Sequence, residues 1–233
     1  MSADELDIKW KPFTLTLVEY PEGDIFGLLF ALSSLLPVFV VCSFVTLIVF
    51  RREMHTLAYF VGLLGSEAIN ISIKHFVKEP RPASRHLTVG VKYGWPSSHS
   101  QFTWFLVVYL NLFIHIRCHS TRSVLYDSWK YVVSLLSTLV GVSVAYGRVY
   151  LQYHTENQVV WGSCIGAALA IVWFLTTHFL LTPLFPLVVH SKLGEFFMIR
   201  DSTFIPNVLW FEYSVSRQES RRCSRKMSMS KSQ

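Results

Sequence analysis

The chain has 233 residues, of which 52% are hydrophobic and 15% aromatic, with a mean hydropathy of +0.38 and a formal net charge of +6. That apolar content is unusual for a water-soluble globule, and the basic residues sit in short loops and a tail rather than in an aromatic-interleaved stripe, which argues against nucleic acid as a partner. Cys42, Cys118, Cys164 and Cys223 are far apart and two of them lie inside apolar runs, so neither a disulfide framework nor a zinc site is expected.

In chain order, residues 1–24 are polar and lack the apolar core of a cleavable signal, so the first span is expected to be a retained anchor, while the acidic charge of residues 1–24 points to a non-cytoplasmic N-terminal segment. Ile25 to Phe50 is a nearly uncharged run ending at Arg51-Arg52, long enough for a hydrocarbon layer of roughly 30 Å. Thr56 to Phe76 makes a second span, but it carries Glu67, Asn70 and Lys74, so one face has to meet protein or water. A loop rich in Pro, Gly, Arg and Lys follows, and His99 to Ile116 and Trp129 to Tyr146 give the third and fourth spans. Gln158 to Val189 gives a fifth, broken near its end by Pro183 and Pro186. The pattern predicts an all-α polytopic bundle of about five transmembrane helices, with four to six as the range. Residues 25–189 would be membrane-embedded and residues 190–233 a basic tail, with Arg217 to Lys231 a solvated end.

Charge sets the sidedness. With five spans, Arg51-Arg52, the loop from Arg117 to Asp127 and the arginine-rich tail share one side, while the acidic N-terminal segment falls opposite. Cytoplasmic loops carry the excess of Lys and Arg, so the N-terminus is expected outside and the C-terminus inside. The loop from Val77 to Ser98 then breaks the rule, because Lys78, Arg81, Arg85 and Lys92 lie on the charge-poor side. Anion binding is the reason that suggests itself.

Three clusters end spans on that side: Lys74 with Arg81-Pro82, Pro96-Ser97-Ser98-His99, and Gly147-Arg148 with His154 and Gln158. Phosphoryl transfer needs cations and donors around the equatorial oxygens, a nucleophile and an acid. Lys74, Arg81 and Arg148 supply charge. Ser97, Ser98 and the free N–H groups of a helix start supply donors. Of the two histidines, one can attack phosphorus while the other protonates the leaving oxygen. Taken singly, each cluster has a plainer reading: a snorkelling lysine, a turn, a helix cap, an exposed histidine, and Gly90 and Gly94 as backbone punctuation. Their order, spacing and shared side favour the chemical one.

These residues resemble the tripartite signature of the type 2 phosphatidic acid phosphatase superfamily of lipid phosphatases and vanadium haloperoxidases: K-x6-RP, PSGH and SR-x5-H-x3-D. The first part is present without deviation, Ser98 stands for Gly in the second, and Gly147 and Gln158 replace Ser and Asp in the third. Pro96 to Phe102, Arg148 to Thr155 and Ile205 to Tyr213 are further similar to the eukaryotic dolichyldiphosphatases. The resemblance implies that His154 is the nucleophile forming a phosphohistidine and His99 the acid that later activates water. Lys74, Arg81, Ser97, Ser98 and Arg148 would hold the phosphate, with no metal or cofactor. It also implies hydrolysis of dolichyl diphosphate to dolichyl monophosphate and inorganic phosphate in the endoplasmic reticulum membrane, with a lumenal site returning lipid carrier to protein N-glycosylation.

Another lipid phosphate, phosphatidate or a sphingoid phosphate, and a non-catalytic lipid-binding protein are the alternatives. Gly147 removes a hydroxyl, and Gln158 replaces the carboxylate expected to orient the nucleophile. Four residues past His154 on a helix, Gln158 can still offer its amide oxygen to the ring N–H. Glu156 is the nearby carboxylate that a loop could redirect.

Overall fold

The computed structural model describes residues 10–13, 18–82, 93–118, 124–205 and 208–230. A short antiparallel hairpin, β1 (Trp10–Phe13) and β2 (Val18–Pro21), precedes an otherwise helical chain. The first span is broken into α1 (Ile25–Ser33) and α2 (Leu36–Arg51), with Pro37 in the first turn of α2, where its missing N–H costs nothing. Then come α3 (Met54–Val77), α4 (Ser98–Leu112) with a π-helical continuation over Phe113–Arg117, and α5 (Val124–Tyr150). The next helix, α6 (Glu156–Thr176), runs through a π turn (Thr177–Leu181) and a 3-10 turn (Thr182–Leu184) into α7 (Phe185–Val189); the irregular stretch coincides with the two prolines. A one-turn α8 (Lys192–Phe196) and α9 (Val208–Ser230) close the chain.

Four segments are long and apolar enough to cross a membrane: Ile25–Arg51, Met54–Val77, Ser128–Tyr150 and Glu156–Val189. The expected third span, α4, is shorter, yet it also runs the length of the bundle. At its start Ser98 meets Lys74 in the last turn of α3, and past its end Arg117 Nη2 lies 2.7 Å from His55 Nε2 in the first turn of α3. Its low hydropathy follows from its place: α6, α5, α3 and α2 surround it, so it meets protein where the others meet lipid. Phe102, Phe105 and Tyr109 of α4 form the core with Phe44, Leu63, Ala170 and Phe174. Phe39, Leu136, Val172 and Leu180 point outward and are exposed. In water such a surface promotes aggregation, whereas in a bilayer it is the lipid-facing girdle.

The contact between α4 and α6 is backbone-close. A Cβ on Gly162 would stand 2.6 Å from the Ser97 carbonyl oxygen, and one on Gly166 2.3 Å from that of Gln101. Small residues four apart let two helices approach to this degree. Between α3 and α4, Asn70 Nδ2 donates to Gln101 Oε1 at 2.8 Å and Gln101 Nε2 to the Ser66 carbonyl at 2.7 Å, all three residues buried. This answers the question posed by the polar residues of the second span: Asn70 and Lys74 face protein, and only Glu67 borders a groove.

The two ends of the bundle differ. At one, the Glu19 N–H of β2 donates to the Tyr153 hydroxyl, and the Tyr150 hydroxyl to Asp24, so the N-terminal segment covers the end that carries the motifs. At the other, Glu212 accepts from Arg51 at 2.6 Å and Arg200 at 3.2 Å, and the Arg200 N–H donates to the Arg52 carbonyl. The tail is helical through α9 and fastened to the α2–α3 turn by Glu212, and residues 217–225 beyond that contact are exposed, in keeping with the solvated end expected there.

Candidate active site

The loop after α5 builds the third motif. Gln152 takes a left-handed conformation (φ 59°), turning the chain so that the Tyr153 and His154 N–H groups both return to the Arg148 carbonyl. This is the physical content of the five-residue gap between Arg148 and His154. Leu151, wholly buried with Tyr153, Val18 and Ala31, plugs the turn from beneath. Thr155 caps α6 by accepting from the Gln158 N–H at 3.2 Å.

His154 Nδ1 lies 3.0 Å from Gln158 Oε1, while Gln158 Nε2 lies 2.8 Å from Glu79 Oε1 and 3.0 Å from the Pro80 carbonyl. A carboxylate and a carbonyl only accept, so the amide must turn its NH2 toward Glu79 and Pro80 and its oxygen toward His154. The ring must then donate from Nδ1. Nε2 is left with its lone pair, the form a nucleophile needs. Burial lowers the His154 pKa to about 3, with the Arg81 charge adding to the effect and the Gln158 acceptor opposing it, so the imidazole is neutral at physiological pH. Glu156 is exposed in the first turn of α6 and is not the redirected carboxylate.

Gly94 is more than punctuation. A Cβ there would come 2.7 Å from Gln158 Oε1, and its own N–H donates to the Glu79 carbonyl at 2.7 Å. The Gln158 amide therefore packs flat on bare backbone. Ser97 N–H completes the frame by donating to the Gln158 carbonyl at 3.0 Å, which joins the second motif to the third.

The cations converge at the same end. Lys74 Nζ donates to Ser98 Oγ at 3.0 Å from a buried position in α3. Arg148, 3% exposed, donates from Nη2 to Ser34 Oγ, and its guanidinium lies 5.3 Å from the Tyr153 ring centre. Burial also lowers the Arg81 pKa. The Nε atoms of Arg81 and Arg148 are both buried without a hydrogen-bond partner. Two orphaned guanidinium N–H groups are costly unless a ligand completes them, and a phosphate offers oxygens of the right charge and geometry. Arg85 and Lys92, the other loop cations, lie outside the described residues.

Glu79, Ser34 and Gly94 belong to this site although the motif reading did not single them out as members. For Glu79 a signal existed: one acidic residue stands directly before Pro80-Arg81-Pro82, amid cations. Ser34 has no local signal, since its contact crosses 114 residues. It also explains Gly147. A Cβ at 147 would meet Phe30 at 3.1 Å, so α1 fills the space of the missing serine and presents a hydroxyl of its own to Arg148 one turn later.

His99, one residue into α4, faces the Ser34 carbonyl on one side and a groove on the other. The groove, about 410 Å³, is walled by Pro37 and Val41 of α2, Leu64 of α3 and Phe102 of α4, with Glu67 of α3 as its charged member, and it reaches Ser98 and His99. Apolar walls leading to a polar terminus suit a lipid with a charged head.

A bundle of this kind, with buried cationic side chains and a neutral histidine at one end, is a polytopic membrane protein whose site has the chemistry to receive an anion. The chain belongs to the PAP2 superfamily, whose model matches residues 55–181. Similar proteins include human dolichyldiphosphatase 1, 50% identical over 97% of this chain and 98% of that one. Dictyostelium discoideum dolichyldiphosphatase 1 is 37% identical over 86% of each chain, and Arabidopsis thaliana lipid phosphate phosphatase gamma is 37% identical over 89% of this chain and 91% of that one. No solved structure matches.

Proposed function

We propose that the chain hydrolyses dolichyl diphosphate to dolichyl monophosphate and inorganic phosphate, with residues 25–189 as the membrane-embedded catalytic domain. His154 Nε2 attacks the terminal phosphorus and the bond to the bridging oxygen breaks. His99 gives that oxygen its proton, and the phosphoryl group rests on the histidine. Water then attacks the phosphohistidine with His99 accepting its proton, and phosphate leaves. Lys74, Arg81, Arg148, Ser97 and Ser98 hold the non-bridging oxygens, and Gln158 orients the nucleophile. The observation that carries the lipid reading is the apolar groove reaching His99, at the end of the bundle that also holds two unpartnered guanidinium N–H groups.

The site's end of the bundle faces the endoplasmic reticulum lumen in this reading, because the Arg51-Arg52 turn and the basic tail gather at the other end. A glycosylation acceptor placed near Gly90 is then modified, and one placed after Arg217 is not; the reverse pattern inverts the topology. Activity is tested by phosphate release from dolichyl diphosphate and, as a rival lipid phosphate, phosphatidate. The diphosphate is expected to turn over faster, and His154→Ala to abolish both turnover and protein labelling. Preference for phosphatidate would reassign the substrate, and label retained by His154→Ala would refute the nucleophile.

A further inference from the structure

We infer that Glu79 is the carboxylate of the nucleophile's relay, a positioning residue that acts on His154 through the Gln158 amide; this rests on His154 being the nucleophile. When His154 Nε2 bonds to phosphorus, its ring becomes cationic and Nδ1–H donates more strongly to Gln158 Oε1. An amide oxygen accepts that bond but adds no negative charge. The structure supplies the charge one group further out, 2.8 Å from the far end of the same amide. Because the carboxylate accepts from Gln158 Nε2, it draws the amide toward the polarised form in which Oε1 is more negative, as serial hydrogen bonds strengthen one another.

The surroundings hold Glu79 to this task. It follows Lys78, which ends α3 in a left-handed conformation (φ 56°), and its carbonyl accepts the Gly94 N–H. Pro80 bridges to Tyr93 directly beyond, so the segment is pinned on both sides. Lys78 precedes it and Arg81 stands two residues on, and the amide it accepts from explains a carboxylate at this position. A family aspartate in contact with the histidine is thus divided here into two residues, an amide that touches the ring and a carboxylate that charges it.

Charge and shape can be separated by substitution. Glu79→Gln keeps length and an acceptor but removes the charge, so phosphoenzyme formation in single turnover is expected to slow roughly 10- to 100-fold, the range of outer-shell partners, with KM changed less than about twofold. Gln158→Glu alone puts two carboxylates where the 2.8 Å bond now is, and phosphoenzyme formation should nearly vanish. Combining the two moves the carboxylate onto His154 and lets the new amide at position 79 donate to it, so the double variant should recover to within about tenfold of wild type.

Rescue of this sign is not available to a residue that merely fills space. Wild-type rates in Glu79→Gln, or a double variant no faster than Gln158→Glu, overturn the proposal while His154 remains the nucleophile. Should Glu79→Gln fail to fold, the comparison of Gln158→Glu with the double variant still decides. Phosphoenzyme formed by His154→Ala overturns the underlying mechanism and the relay with it.

Discussion

Replacing Gly94 by alanine places one methyl group against the Gln158 amide. The new Cβ would lie 2.7 Å from Oε1 and 2.9 Å from Nε2, whereas ordinary contact begins at 3.4 Å, so the amide must retreat by about 0.7 Å. It has little slack. Its bonds to Glu79, Pro80 and His154 measure 2.8, 3.0 and 3.0 Å, and a hydrogen bond loses meaning near 3.5 Å. At least one is broken, at a cost of about 1–3 kcal/mol for a buried group left unpaired. Loss of the His154 bond releases the ring, and the chemical rate is expected to fall about 10- to 100-fold. Single-turnover phosphate release, with thermal unfolding in the same detergent, measures both quantities. A Gly94→Ala protein within twofold of wild type in rate would refute the packing of that amide against bare backbone.

Gly166→Leu would push a side chain into the Gln101 carbonyl of α4, so it should destabilise the fold by about 3 kcal/mol or more; an unchanged melting temperature would contradict the close crossing. Because the folded His154 titrates near 3 rather than the ordinary 6.5, the unfolded chain takes up the proton first, and this residue's contribution to stability is lost as pH drops from about 6.5 toward 3. Nitrogen NMR of histidine-labelled protein at pH 5 should still show His154 neutral with its proton on Nδ1; an imidazolium signal there would count against its burial. If Lys74, Arg81 and Arg148 provide the positive charge, as proposed, phosphate release persists in EDTA; a strict need for magnesium or zinc would refute this.

The sequence revealed what depends on helix direction and local spacing. Successive spans alternate in direction, so motifs at the end of α3, the start of α4 and the end of α5 had to meet at one rim. Gln158, four residues past His154, could be placed on the ring because both lie around one helix start. Contacts that join distant segments were not legible. Glu79 meets Gln158 across 79 residues, and neither the proline-rich loop nor its acidic character says which group it faces. Ser34, in the break between α1 and α2, meets Arg148 across 114 residues. The solvated end was legible from the polarity of residues 217–231, of which 217–225 are exposed, but the fastening of α9 was not, because it rests on Glu212, upstream of that stretch.

The crossing of α4 and α6 bears on how such proteins vary. His99 lies two residues beyond Ser97, and His154 four residues before Gln158, while Ser97 and Gln158 are bonded backbone to backbone where Gly162 admits the approach. The interval between the two histidines is therefore a property of one helix crossing, not of the 54 residues of chain that separate them. Insertions or deletions in the α4–α5 connection can accumulate without altering the spacing of the two histidines, whereas one added carbon at the crossing displaces both of them together. Relatives are best compared by the metric inside each motif, with the stretches between motifs free to change length.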